Sequence, residues 1–325
     1  MPTIKDVALK AGVSVTTVSR VLNNRGYLSG ELKQKVMQAM DELNYRPNEL
    51  ARSLSRSRSN IIGLIIPHIS HPFFGELTGY MEEHAYRNGC KLLLCNSRQD
   101  KHKELEYIDM LRASRVDGII MGSHTLEVEA YRQMNLPLVT FDRQISPDIP
   151  YVCSDNYLGG LLATTLLIEK GCRHIAHIGG HPGLNILSGL RSEAFAETAA
   201  AHHIPHISLH TDDNSFDVAA YERLLAQLFR EQPGIDGIFA GSDMIAAYAL
   251  KACRERGRRV PEDVRIVGYD GIALRSMLAL PLSTIRQPIE EMGKLAVDLI
   301  LRQVHGEKVS AQYILPVELE EGATT

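Results

Sequence analysis

The sequence predicts a small helical domain at the N-terminus and, behind it, a large α/β domain that contains two parallel sheets. Residues 1–46 show helical periodicity, with apolar residues three and four positions apart. From residue 60, short apolar runs alternate with amphipathic helical stretches, a pattern typical of parallel sheets that are covered on both faces. A basic, serine-rich stretch lies between these two parts. We therefore expect three regions, at residues 1–46, 47–59 and 60–325.

Length and composition fit this organisation and exclude several classes of protein. The chain has 325 residues, of which 44% are hydrophobic and 23% are charged, as in ordinary globular proteins. No apolar run reaches the roughly 18 residues that span a membrane, and no secretion signal opens the chain. The five cysteines show no C-x-x-C pair, so we expect free thiols rather than disulfides or a zinc site. These features predict a cytoplasmic protein with no membrane partner.

Charge is distributed unevenly along the chain. Residues 1–60 carry ten lysines and arginines against five aspartates and glutamates, a net charge of +5. Because the whole chain has a net charge of −4, the remaining residues carry −9. A basic head on an acidic body suits a head that contacts phosphates and a body that avoids them. Basic residues that only face solvent would give the same net charge. The positive charge of residues 1–60 therefore supports nucleic-acid binding but does not establish it.

Two short helices separated by a tight corner are predicted first. Gly12 stands at the corner, where glycine adopts a positive φ without steric strain. Ser14 can cap the second helix by accepting a hydrogen bond from a free N–H group, and Ser29 begins a third helix. The apolar faces of the three helices contain Ile4, Val7, Ala8 and Ala11, then Thr17, Val18, Val21 and Leu22, then Leu32, Val36, Met40 and Leu43.

A short helix, a glycine turn and a second helix with a small polar outer face together form a helix-turn-helix unit. In such a unit the second helix lies in the major groove of DNA. An ordinary helical hairpin has the same periodicity, so the pattern alone leaves both interpretations open.

The first helices also carry a long sequence motif. Residues Thr3–Asn23 read T-I-K-D-V-A-x-x-A-G-V-S-x-x-T-V-S-R-V-L-N, nearly without gaps. In this motif the chain resembles the DNA-binding headpiece of the LacI/GalR family of bacterial repressors. The resemblance implies a homodimeric, sequence-specific repressor that binds double-stranded operator DNA and is not an enzyme.

The predicted DNA contacts differ in their chemistry. Val15 can pack on a thymine methyl group, and Thr16 can form a hydrogen bond with a base edge. Arg20 can donate two hydrogen bonds to O6 and N7 of guanine, and its alternative role is a phosphate contact. Tyr27 matches a family position near the half-site. The remaining candidates are interpreted as phosphate contacts or helix caps: Thr3, Ser14, Thr17, Asn23 and Ser29.

The stretch at residues 47–59 has two interpretations. Pro47 can open a short helix, but a helix of this length is marginal in isolation, so a flexible linker is the alternative. The resemblance implies a hinge helix that folds on DNA, pairs with its dimer mate and inserts a leucine into the minor groove. Leu54 occupies the matching position, and such a wedge bends the duplex.

Apolar runs in the large domain predict its strands. They are Ile61–Ile66, Lys91–Cys95, Gly118–Met121, Leu136–Phe141, Tyr151–Ser154, His174–Ile178, His206–His210, Gly237–Ala240 and Arg265–Tyr269. We expect a first lobe at about residues 60–156 and 286–325, and a second lobe at about residues 157–285. The run Leu282–Arg286 and a helix over Ile289–Val304 are expected to return the chain to the first lobe. The whole arrangement resembles the type I periplasmic-binding-protein core of the same repressor family.

A ligand site is predicted at the loops that follow the strands, because ligands of parallel sheets bind beyond their carboxyl ends. Carboxylates and amides form hydrogen bonds with sugar hydroxyls, and the planar guanidinium of arginine donates two hydrogen bonds side by side. An aromatic ring packs on the apolar face of a sugar. We therefore expect a sugar effector and no cofactor. The candidate effector contacts are Phe73, Phe74, Arg143, Asp155, Asn185, Arg191, Phe216, Asp243 and Asp270.

The family resemblance adds detail to this site. Arg191 and Asp270 match positions that hold the effector in most members, and Phe216 lies where sugar-binding relatives have an aromatic residue. The pair Ser242-Asp243 departs from the Asn-Asp of many relatives, which puts that hydroxyl contact in doubt. The sequence as a whole looks closest to sucrose-operon repressors. These features predict a sugar inducer that releases the operator.

Two other ligand-binding functions would leave different sequence features. A purine-like corepressor, held between Phe73 and Phe74, would reverse the sign of regulation. A plain solute-binding protein would lack the helical head. The cluster His202-His203-x-x-His206 has no carboxylate in the H-E-x-x-H arrangement, so we expect no metal. No nucleophile motif or P-loop is present in the sequence, which speaks against an enzyme.

Overall fold

The computed structural model describes residues 2–23, 26–46, 58–123, 125, 131, 134–180, 186–211 and 218–325. Three predicted contacts, Leu54, Asn185 and Phe216, lie outside these residues. The chain divides into two compact units, residues 1–59 and 60–325, and the division coincides with the change of sequence pattern.

The N-terminal unit contains three helices: α1 (Ile4–Ala11), α2 (Val15–Asn23) and α3 (Gly30–Glu42). The hydroxyl of Thr3 accepts from the N–H of Asp6 while the Asp6 carboxylate accepts from the Thr3 N–H, which forms a capping box. Gly12 ends α1 at a φ of 65°. The buried core contains Val7, Ala8, Ala11, Val18, Val36 and Ala39. The predicted three-helix fold is confirmed.

The large unit alternates strands with helices in its described residues. Its strands are β1 (Ile61–Ile66), β2 (Lys91–Asn96), β3 (Gly118–Met121), β4 (Leu138–Phe141), β5 (Tyr151–Ser154), β6 (Ile175–Gly179), β7 (His206–His210), β8 (Gly237–Ala240), β9 (Arg265–Asp270), β10 (Ser283–Arg286), β11 (Gln312–Leu315) and β12 (Glu318–Glu320). Its helices are α4 (Pro72–Arg87), α5 (Lys101–Ala113), α6 (Asn156–Glu169), α7 (Leu190–Ala201), α8 (Val218–Glu231), α9 (Asp243–Glu255), α10 (Leu274–Met277) and α11 (Ile289–Val304).

Two six-stranded sheets form the two lobes. The first sheet has the order β11-β5-β4-β3-β1-β2, and all of its neighbours are parallel. The second has the order β12-β10-β9-β8-β6-β7 and is parallel except for β12, which runs antiparallel to β10. Helices cover both faces of the sheets, so the central strands β3, β4, β5, β6 and β8 are buried along their whole length. This explains the unbroken apolar runs.

The lobe assignment of the C-terminal elements was wrong in part. The run near residue 282 forms β10, which pairs with β9 in the second sheet, so the chain leaves that lobe only after Arg286. Helix α11 then packs on α4 in the first lobe, as expected. After β11, the chain crosses once more, and β12 joins the second sheet. Three- or four-residue runs contain too little information to show which sheet they join, since that depends on distant backbone partners.

Candidate functional site

The carboxyl ends of strands from both sheets surround one cavity of about 1060 Å³. The first lobe contributes residues that follow β1, β3 and β4, and the second lobe contributes the ends of β6, β7, β8 and β9. The cavity is lined by polar and apolar groups, as ligand sites are. Lining residues include Pro67, Phe73, Phe74, Arg98, Ser123, Asp142, His177, Leu187, Arg191, Glu193, His210, Ser242, Asp270 and Gln287.

Arg191 is the central donor of this cavity. It is 8% exposed, and its Cζ atom stacks 3.5 Å from the ring centroid of Tyr269. Its Nε donates to Oδ1 of Asn156 at 2.7 Å, and its Nη1 donates to the carbonyl oxygen of Gly241 at 2.9 Å. Its Nη2 stands 4.0 Å from Oδ2 of Asp142. The guanidinium plane is therefore fixed before any ligand arrives.

Two carboxylates face the same space. Desolvation raises the pKa of Asp142, against the opposing charge of Arg191 and a hydrogen bond from Asn156. Asp270 is 4% exposed, and burial raises its pKa well above the usual range although Gln287 donates to its Oδ1 at 2.8 Å. Together with Arg191 they supply fixed acceptors and donors for hydroxyl groups.

Two aromatic rings form the apolar wall. Phe73 and Phe74 lie in the first turn of α4 and line the cavity. Both rings also pack against the first-lobe core, so each ring serves both the cavity wall and the core. Their centroids are 5.2 Å apart with an interplanar angle of 79°, an edge-to-face contact.

Three predicted effector contacts do not line the cavity. Asp155 caps α6, where its Oδ1 accepts from the N–H of Leu158 at 2.9 Å. The guanidinium of Arg143 lies 5.7 Å from the ring centroid of Tyr131. Asp243 is fully buried. Instead of Arg143, its neighbour Asp142 reaches the cavity, because Asp142 takes a φ of 50° that turns the chain at the end of β4.

His177 lines the cavity, although the sequence suggested it only as a metal ligand, an interpretation that a surface or loop histidine outweighed. It is 1% exposed, its ring stacks on Phe239 at 4.7 Å, and its Nδ1 donates to the Phe239 carbonyl oxygen at 3.0 Å. Burial lowers the pKa of His177 to about 3, so the ring is neutral and its Nε2 is an acceptor. A lone histidine in an apolar strand carries no sequence signal that separates this role from simple core packing.

The burial of His177 predicts acid sensitivity. Its folded-state pKa of about 3 lies below the usual 6.5, so the unfolded chain binds more protons between these values, and stability is lost as pH falls through them. We expect His177→Phe, which keeps a stacking ring, to flatten the fall of the unfolding midpoint between pH 6.5 and 4. The control is His102→Phe on the exposed start of α5. Equal slopes in both variants would show that His177 does not titrate in this way.

The outer face of α2 presents the predicted DNA contacts. Val15 is 40% exposed, and Thr16 and Arg20 are exposed. Within the described residues, Arg20 makes no hydrogen bond or ion pair, so its guanidinium is available. Tyr27 is 99% exposed. These side chains form one accessible set on the second helix and the loop after it.

The other predicted DNA contacts have structural partners. Thr3 and Ser29 cap α1 and α3, and Ser14 accepts from the N–H of Thr17 at 3.0 Å. Asn23 donates to the Ser19 hydroxyl at 3.4 Å. Helix N-termini with such caps present backbone N–H groups, which suit phosphate oxygens.

In the part of the chain that the structure describes, no group of three histidine, cysteine, aspartate or glutamate side chains could hold a metal ion. None of the described helices is both long and apolar enough to cross a membrane.

A helix-turn-helix unit joined to a two-lobed core with a polar cavity defines a class of bacterial regulatory proteins. Residues 3–48 match the family of bacterial regulatory proteins of the lacI type, and residues 164–325 match the periplasmic binding protein-like domain. The chain belongs to the lacI family.

Relatives of known role match over the whole chain. The ribose operon repressor of Halalkalibacterium halodurans is 41% identical over 100% of this chain and 97% of its own length. The sucrose operon repressor of Streptococcus mutans is 40% identical over 98% of each chain.

Solved structures show the same architecture. The lac repressor dimer bound to operator and the anti-inducer ONPF is 27% identical with a TM-score of 0.88, and the match covers 100% of this chain and 99% of that chain. A LacI-type regulator from Alkaliphilus metalliredigens in complex with D-xylulofuranose is 34% identical with a TM-score of 0.74. That match covers 82% of this chain and 99% of the other.

Proposed function

We propose that the protein is a transcriptional repressor of a carbohydrate-utilisation operon, and that a sugar bound between its two lobes releases it from operator DNA. The observation that carries this proposal is the cavity in which Arg191, Asp142 and Asp270 present fixed donors and acceptors beside the Phe73–Phe74 wall. Polyols need such paired polar groups together with an apolar ring face. Asn185 and Phe216 remain further proposed contacts.

The relatives support this proposal. Their names connect two of them with ribose and sucrose operons, and a similar core binds D-xylulofuranose. The lac repressor binds its operator as a dimer. We infer that this chain also acts as a homodimer in the cytoplasm, since a two-fold symmetric protein matches a near-palindromic operator.

The charge of the cavity favours an uncharged sugar over a sugar phosphate. Its described lining contains three acidic residues, Asp142, Glu193 and Asp270, against the two arginines Arg98 and Arg191. The guanidinium of Arg191 already donates to neighbouring groups, and Arg98 is exposed. A phosphate would therefore lie beside three carboxyl groups, while one of the two arginines is already committed to protein partners.

The ring geometry disfavours the purine corepressor. A flat base held on both faces requires two parallel rings. Phe73 and Phe74 meet edge to face instead, so they offer one ring face and one ring edge.

The DNA-binding part of the proposal rests on residues 1–46. We infer that Val15, Thr16 and Arg20 read base edges in the major groove. Residues 47–59 are proposed as a hinge whose Leu54 enters the minor groove. Phosphate contacts are proposed for Thr3, Ser14, Thr17, Asn23 and Ser29, and Tyr27 is proposed to lie near the half-site.

Thermal melting of the purified protein against sugars, sugar phosphates and purines tests the ligand class. A ligand at about 100 times its Kd adds roughly 2.7 kcal/mol to the free energy of unfolding, which is a visible shift. We expect a shift with an uncharged sugar and none with its phosphate. A purine as the only ligand would contradict the inducer proposal.

A further inference from the structure

The loop after β9 lies in an unusual backbone conformation beside the cavity. Asp270 has a φ of 113° and Gly271 a φ of 72°, so two consecutive residues adopt left-handed geometry. A Cβ atom on Gly271 would lie 2.7 Å from the Cα of Arg286, so the loop passes very close to β10. Strain of this kind persists only where surrounding contacts hold it. The direction of the Asp270 side chain therefore depends on what anchors the residues that follow.

Asp243 is the anchor on the second lobe. Its Oδ2 accepts from the N–H of Ile272 at 2.9 Å, and its Oδ1 accepts from the hydroxyl of Thr284 on β10 at 2.5 Å. Asp243 is 0% exposed and does not line the cavity, so it cannot touch a ligand there. Its carboxylate instead joins the start of α9 and β10 to the loop that carries Asp270.

Glu76 is the anchor on the first lobe. Its Oε1 accepts from the N–H of Ala273 at 2.9 Å. It lies on α4, two residues after Phe74, so the same helix carries the aromatic wall. The side chain of Ile272 is fully buried in the first-lobe core with Leu77 and other residues of that lobe. The loop of the second lobe is thus inserted into the first.

We propose that Asp243 and Glu76 are positioning residues that act through the backbone of residues 271–273. Together they hold Asp270 toward the ligand and tie its position to α4, so that polar and aromatic contacts to the effector form as one unit. The effector part of this inference rests on the proposed function, because it assumes that a sugar occupies the cavity. The anchoring part concerns the unliganded protein alone.

Amide hydrogen exchange tests the anchoring without any ligand. We expect Glu76→Ala to speed exchange at Ile272, the amide that Asp243 holds, as well as at Ala273, while Glu76→Gln keeps an acceptor and stays close to wild type. Glu83→Ala, on the same helix but exposed, is the matched control. Unchanged exchange at Ile272 in Glu76→Ala would overturn the proposal.

Sugar affinity tests the positioning. Loss of a charge-assisted hydrogen bond predicts a Kd about tenfold higher in Glu76→Ala, with Glu76→Gln close to wild type. In an Asp270→Asn background the same change should add little, because both act on one contact. Asp243→Asn should still bind sugar, because its amide oxygen can accept from the N–H of Ile272 while its amide nitrogen donates to the Thr284 hydroxyl. The positioning role would be overturned if the losses of sugar affinity in Glu76→Ala and Asp270→Asn were additive, or if Glu76→Ala kept the wild-type Kd. If the wild-type protein binds no sugar, the proposed function is overturned. The exchange result then decides the anchoring by itself.

Discussion

Replacing Arg191 with alanine is expected to abolish the response to sugar while operator binding is kept. The change removes the donor that joins Asn156 and the carbonyl of Gly241, and it leaves the carboxylates of Asp142 and Asp270 without their counter-charge. The sugar also loses a charged hydrogen-bond donor, which costs roughly 1.5–3 kcal/mol, so sugar affinity should fall by a factor on the order of 10 to 100. Isothermal titration with the sugar and anisotropy with labelled operator measure the two effects separately.

Two further variants make this experiment specific. Arg191→Lys keeps the charge but lacks the planar fork, so it should recover only part of the affinity. Arg173→Ala removes an exposed arginine of the same lobe and should bind sugar like the wild type. If Arg191→Ala still responds to sugar normally, the cavity is not the effector site.

Replacing Arg20 with alanine is expected to relax operator specificity at one base pair. Arg20 is exposed on α2, and a bidentate contact with guanine discriminates by about 1–3 kcal/mol. The loss should therefore be concentrated at one position of the half-site. Competition among operators that each carry a single base change would locate it.

A charge-matched control separates base reading from general attraction. Lys35→Ala removes one positive charge from the exposed side of α3 and should weaken all operators alike, if at all. If Arg20→Ala also weakens every operator by the same factor, Arg20 contacts a phosphate and does not read a base.

The N-terminal unit could be predicted well from the sequence because its information is local. Gly12, the caps at Ser14 and Ser29 and the apolar faces all act within a few residues of their own position. The strands of the central sheets were also predictable, since burial on both faces leaves unbroken apolar runs. The C-terminal strands were not, because β10 and β12 are assigned to a lobe by partners far away in the chain.

The site was predicted less completely than the fold, for geometric reasons. Because ligands bind at the loops that follow parallel strands, Arg191 and Asp270 could be predicted as cavity residues, and both line the cavity. It could not decide between Asp142 and Arg143, because a positive φ at one residue changes which side chain faces the cavity. It also could not show that Asp155 and Asp243 are used by backbone N–H groups. Such partners become visible only in three dimensions.

A sugar in the cavity between the two lobes is proposed to weaken operator binding. Fluorescence anisotropy of a labelled operator, with and without the sugar found by thermal melting, tests it most directly. A ligand shifts the equilibrium only by its preference for one state, and such couplings are typically about 5- to 150-fold. We predict a fall in operator affinity within that range. A sugar that stabilises the protein but leaves operator affinity unchanged, or raises it, would contradict the claim.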